Sequence, residues 1–160
     1  MFMTLRSPAF EPGAAIPTKY TGEGPDDLSL PLSWTHVPEG TVELALICDD
    51  ADAPVPEPWV HWVLYKIPAT ATSLPEGLPR VPVLAAPYPM MQGKTTFVQG
   101  IGYNGPLPPP GHGTHHYNIS LYALDVALPD TLGLTKNELL DAIKGHVLGR
   151  ANLVGTYRRD

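Results

Sequence analysis

Residues 41–69 read TVELALICDDADAPVPEPWVHWVLYKIPA, and this stretch decides the fold class. Its two ends, Thr41–Cys48 and Trp59–Ile67, are β-branched and aromatic runs of strand length. Between them lies a connection of Asp, Ala and Pro, residue types that stop one strand and start the next. Each run is apolar at odd and even positions alike, which predicts inner strands covered on both faces. A short connection makes consecutive strands neighbours. The end of the first then meets the beginning of the second on one rim of a sheet.

Working outward, His115–Leu124 (HHYNISLYAL) alternates cleanly, with His115, Tyr117, Ile119 and Leu121 on one face and His116, Asn118, Ser120 and Tyr122 on the other. A helix is predicted over Lys136–Leu148. Thr135 and Glu138 form a capping box at its start, and Leu139, Leu140, Ile143, Val147 and Leu148 make an apolar stripe that Gly149 ends. A last strand follows at Ala151–Tyr157. The remainder reads as loop, including the Pro- and Gly-rich segments Val81–Gly93 and Gly105–Gly113. With no internal repeat, residues 1–160 are expected to form a single domain, mainly antiparallel β with one or two short helices.

Composition narrows the function classes. Pro (20) and Gly (15) are too frequent for a chain built of long helices, and 43% hydrophobic content excludes disorder. Ten Lys and Arg against 16 Asp and Glu give a net charge of −6 without any basic run. That argues against nucleic acid and anionic membrane surfaces as partners. The single cysteine, Cys48, excludes an internal disulfide and a thiolate zinc cage. No window approaches the ~20 apolar residues of a membrane span, and Met1–Phe10 lacks a secretory signal. The expectation is a cytoplasmic protein without stable membrane insertion.

The titratable residues cluster where the strands turn. Asp50 and Asp52 follow the first inner strand, His61 opens the second, and His115 and Tyr117 open a third. All five are expected at one rim. A carboxylate accepting from one imidazole nitrogen favours the protonated ring and fixes its tautomer, leaving the other nitrogen to face a ligand. Such a pocket suits an anion of modest size. As metal ligands, His112, His115 and His116 are poorly spaced, because alternation sends His115 and His116 to opposite faces. His61, His115 and an Asp make up the remaining conceivable zinc set. No G-x-S-x-G elbow exists, and Cys48 shares the parity of Leu44 and Leu46, as a buried small hydrophobe would. In GPLPPPGHG (Gly105–Gly113) the prolines have no N–H to offer an anion, so the loop reads as a rigid pocket wall.

In this order, LSWTHVPEGT (Leu32–Thr41), LALICDDADAP (Leu44–Pro54), WVHWVLYKIPA (Trp59–Ala69), GYNGPLPPPGHGTHHYNISLYALD (Gly102–Asp125) and GHVLGRANLVGTY (Gly145–Tyr157) resemble the phosphatidylethanolamine-binding protein family, in its bacterial branch related to Raf kinase inhibitor protein. The resemblance implies an antiparallel β-sandwich with Greek-key connections and an anion pocket at one end. It carries the pocket to Asp50, Asp52, Trp59, His61, Gly105, Pro106, His115 and Tyr117, and it implies a cis peptide at Ala53-Pro54. Two positions depart from the family pattern: His116 stands where Arg is usual, and Ala51 where the acidic motif usually has Pro. The function so implied is non-enzymatic binding of a phosphate or phosphoethanolamine-like group, without a cofactor. A kinase or protease partner and a homodimer are further expectations of the kinship. The alternative is a small hydrolase acting on a phosphate or ester at the same histidines.

Overall fold

The computed structural model describes residues 2–160. Nine strands appear in chain order: β1 (Thr4–Arg6), β2 (Leu32–Thr35), β3 (Glu43–Asp50), β4 (Trp59–Pro68), β5 (Ser73–Leu74), β6 (Val83–Leu84), β7 (Met90–Gln92), β8 (His115–Leu124) and β9 (Val147–Tyr157). One α-helix, α1 (Lys136–Ile143), lies between β8 and β9, and Thr18–Tyr20 form a single 3-10 turn. The strands make two antiparallel sheets, a small one ordered β1-β2-β5 and a large one ordered β6-β7-β4-β3-β8-β9. The chain is therefore a β-sandwich.

The large sheet is covered on both faces, which is why its central strands are apolar on both through Leu44–Cys48 and Trp62–Tyr65. Leu44, Leu46 and Cys48 of β3, Trp62 and Leu64 of β4, and Tyr117, Ile119 and Leu121 of β8 pack with Leu5, Leu32, Trp34 and Leu74 of the small sheet. On the other face Ala45, Ile47, Val63, Tyr65 and Leu124 pack with Leu139 and Ile143 of α1. Cys48 is buried, and burial pushes its thiol well above the ordinary range, so it is inert packing.

Three expectations need correction. The helix ends at Ile143, not Leu148. The capping box at Thr135 and Glu138 forms, but the chain leaves the helix at Lys144, and Gly145 takes the left-handed backbone (φ 82°) that starts the turn into β9. Val147 and Leu148 are consequently half-exposed residues of β9, and Gly149 lies inside that strand. The expected loop Val81–Gly93 contains β6 and β7, and the expected loops near the start and middle of the chain contain the whole small sheet. Finally, the cis peptide lies at Ala86-Pro87. Around Pro54 the chain turns through a three-residue contact, Val55 N–H donating to the Ala53 carbonyl (2.7 Å), which a trans bond accommodates.

Candidate functional site

Register brings the rim together. Asp50, the last residue of β3, pairs with Trp59 at the start of β4 and with Tyr117 near the start of β8. Directly opposite residues share a face, so these three side chains point the same way. His61 joins them through an irregularity. Cys48 pairs with Trp62 and Asp49 with Val60, leaving His61 as the extra residue of a β-bulge. Strict alternation would send His61 to the face opposite Trp62; a bulge re-aims one side chain in this manner. The ring meets Tyr117 edge-on, with centroids 5.2 Å apart.

The two buried imidazoles are held differently. His115 donates from Nδ1 to Asp50 Oδ2 (2.5 Å), both groups almost wholly buried. His61 donates from Nδ1 to the carbonyl of Asn104 (2.6 Å), whose own N–H donates to the His61 carbonyl (2.9 Å). Burial lowers the His61 pKa below the ordinary 6.5, against the Asn104 hydrogen bond and the field of Asp50, which act the other way. His61 is thus a neutral ring with an accepting Nε2, oriented by backbone and not by the expected acid.

The three acids of the turn have separate partners. Asp49 Oδ2 accepts from Lys136 of α1 (2.5 Å), on the helix side of the sheet. Asp50 holds His115 through Oδ2, and its Oδ1 accepts from the backbone N–H of Asp52 (2.8 Å). Asp52 Oδ2 accepts from the ring Nδ1 (2.9 Å) and the backbone N–H (2.8 Å) of His116. Those hydrogen bonds hold the Asp52 carboxyl below its usual range.

A cavity of about 220 Å³ opens over this rim. Its polar floor is Asp50, His61, His115 and Tyr117, and its walls are Ala53, Pro54, Val55, Trp59, Phe97, Leu107, Pro108 and Pro109. Phe97 stands edge-on to both His61 (5.2 Å) and Trp59 (5.7 Å). The proline wall is tied on both sides, Gly22 N–H donating to the Pro106 carbonyl (2.9 Å) and Arg159 Nε to that of Pro108 (2.6 Å). Tyr117 Oη is buried without a hydrogen-bond partner among the described residues. Burial, then the nearby Asp50, raises the phenol pKa, so the hydroxyl stays protonated.

Of the eight residues read from sequence, Asp50, Trp59, His61, His115 and Tyr117 line the cavity; Asp52, Gly105 and Pro106 do not. Asp52 is turned to His116. The Gly105 N–H donates to the Asp27 carboxylate (3.1 Å to each oxygen), and a Cβ there would lie 2.4 Å from the Tyr20 carbonyl oxygen. Its glycine serves a close approach behind the wall. Sequence reading missed Phe97 and the carbonyl of Asn104, neither of which carries a motif. Among the described residues, no three His, Cys, Asp or Glu side chains are grouped to hold a metal ion.

Comparison with known proteins now bears on this site. The family model described as phosphatidylethanolamine-binding protein matches residues 6–158. The chain belongs to that family. It is 45% identical over 157 residues to a UPF0098 protein of Methanothermobacter thermautotrophicus, covering 98% of this chain and 99% of the relative. Among solved structures it is similar to a phosphatidylethanolamine-binding protein homologue from Chlamydia trachomatis (TM-score 0.87, 40% identity, 99% of each chain). It is also similar to E. coli YbcL (TM-score 0.89, 28% identity, all of both chains). The His116 side chain is exposed and clear of the cavity, and its ring pairs with Asp52; among the cavity-lining residues Asp50 is the only carboxylate. Among the described residues, no helix is long and apolar enough to cross a membrane.

Proposed function

We propose that this protein is a binding protein whose rim cavity takes a small phosphate-like anion, free or as the head of a phosphoethanolamine-like molecule. The unsatisfied Tyr117 hydroxyl carries the reading. A buried donor without a partner costs about 1–3 kcal/mol, and this one sits on the floor of a cavity with two imidazoles, where an anion's oxygen would satisfy it. The apolar walls suit whatever hydrocarbon continues from the head group. A kinase or protease partner and a homodimer are expectations of the kinship alone, and a cytoplasmic location is an expectation of the sequence reading alone.

Calorimetric titration with phosphate and phosphoethanolamine at pH 6 and pH 8 tests the proposal. Binding is expected at pH 6, weakened by roughly tenfold in Tyr117→Phe, the effect of one hydrogen bond. Absence of heat at both pH values overturns the reading. Phosphomonoester turnover that disappears in His61→Ala and in His115→Ala would install the hydrolase alternative instead.

A further inference from the structure

His115 has a second partner. Its Nε2 lies 2.7 Å from Nδ1 of His112, with ring centroids 4.9 Å apart and planes inclined at 60°. His112 belongs to the proline wall and is exposed, whereas His115 and Asp50 are buried. Its turn is built for the position: Gly111 and Gly113 on either side take positive φ (74° and 91°), and His112 N–H donates to the Pro109 carbonyl (3.2 Å). The result is a continuous chain, Asp50–His115–His112, from cavity floor to solvent.

Donor directions follow from the end groups. A carboxylate only accepts, so His115 Nδ1 carries hydrogen. In the neutral ring Nε2 then accepts, His112 Nδ1 donates, and the His112 Nε2 lone pair is left at the solvent end. A proton arriving from solvent bonds to His112 Nε2, and the Nδ1 proton crosses to His115 Nε2. His115 becomes an imidazolium beside Asp50, while His112 is neutral again in its other tautomer. One solvent proton is taken up and nothing else is consumed.

An anion in the cavity needs that charge. Among the lining residues only Asp50 is charged irrespective of histidine state, and its sign is wrong. From β4, His61 faces the site as a neutral ring; from β8, Tyr117 as a protonated phenol. Asp52 and His116 pair with each other outside, and Arg159 stands behind the wall on the Pro108 carbonyl. We propose that His112 is a positioning residue: by accepting from His115 Nε2–H it lets His115 keep one solvent proton when the cavity takes an anion. The proposal rests on the binding reading above.

Titrating inorganic phosphate into the full chain, in buffers of different ionisation enthalpy, counts the protons taken up. The difference between wild type and variant cancels the ionisation of phosphate itself. His112→Ala removes the group that accepts from His115 Nε2–H. At pH 7.5 it should take up fewer protons than wild type and bind about tenfold more weakly, while at pH 5.5 the two should bind alike; His112→Asn, whose amide oxygen can accept in place of the ring nitrogen, should restore most of the proton uptake and binding at pH 7.5. An unchanged proton count and a superimposable pH profile in His112→Ala overturn the proposal. In the free protein, imidazole nitrogen NMR should show a hydrogen-bond coupling between His112 Nδ1 and His115 Nε2, and its absence also overturns it. Should wild type bind no phosphate at either pH, the binding reading falls and takes the coupling with it, while the NMR result still decides whether the chain exists.

Discussion

The two sides of the cavity present the same residue type under opposite electrostatics. On the β4 side, His61 leans on a backbone carbonyl beneath Phe97, and the nearest fixed charge is across the floor. On the β8 side, His115 leans on a buried carboxylate and reaches solvent through His112. A peptide dipole can orient a ring without stabilising a full charge as a carboxylate does. The β4 side is therefore the fixed neutral half of the site and the β8 side the half that can carry charge. Neither imidazole substitutes for the other.

The largest expected effect breaks the β4 side from behind. In Gly105→Ala the new Cβ would stand 2.2 Å from Asp27 Oδ1, 2.4 Å from the Tyr20 carbonyl oxygen and 2.8 Å from Thr21 Cα. Two of these are backbone, so strain is relieved only by moving the chain, and Asn104, the residue that holds His61, is next to it. A loss of about 3 kcal/mol in urea unfolding is expected, at the upper end for overpacking. The Asp50–His115 contact, followed through the ring NMR signals, should survive. A variant as stable as wild type would mean that the wall does not need so close an approach.

Asp50→Asn breaks the other side with a smaller effect. Its amide can keep the Asp52 N–H satisfied through Oδ1, but the group facing His115 Nδ1–H becomes a second donor. One buried contact is lost and the tautomer of His115 is no longer fixed, for about 2 kcal/mol of stability. The His61 ring signals should be unmoved. If they move as far as those of His115, the halves are mechanically one unit and the division above is wrong.

How far the sequence revealed the two halves differs for a physical reason. The β8 side was legible because Asp50, His115 and Tyr117 lie on regular strands, where period-two alternation and a short connection place side chains without further information. The β4 side was legible only as a location. Alternation gives His61 two answers, the face of Trp59 counted forward and the face opposite Trp62 counted back, and the bulge that decides between them depends on pairing with β3, which leaves no local signature. Asn104 acts through its carbonyl, which every residue possesses, and so it escaped notice. The helix boundary differs for another reason: Val147 and Leu148 continue the helical spacing, but Gly145 has already broken the backbone, and local punctuation overrides the pattern. The small sheet escaped because strands of two to four residues are too short to show periodicity.

The smallest effect is the pH dependence that His61 alone contributes. Burial depresses its pKa in the folded chain below the ordinary 6.5, so between those two values the unfolded chain binds a proton that the native ring refuses. Stability therefore increases with pH across that interval. Its contribution is fully present above about pH 6.5 and is lost as pH falls toward the native pKa, with a slope of at most one proton, about 1.4 kcal/mol per pH unit. His61→Asn removes the titrating group while keeping a side-chain donor for the Asn104 carbonyl. Urea unfolding from pH 8 to pH 5 should show a shallower loss for this variant than for wild type, and the two curves should run parallel above pH 7. Equal slopes throughout would mean that the ring accepts its proton inside the fold as readily as outside. The β4 side would then no longer be the neutral half.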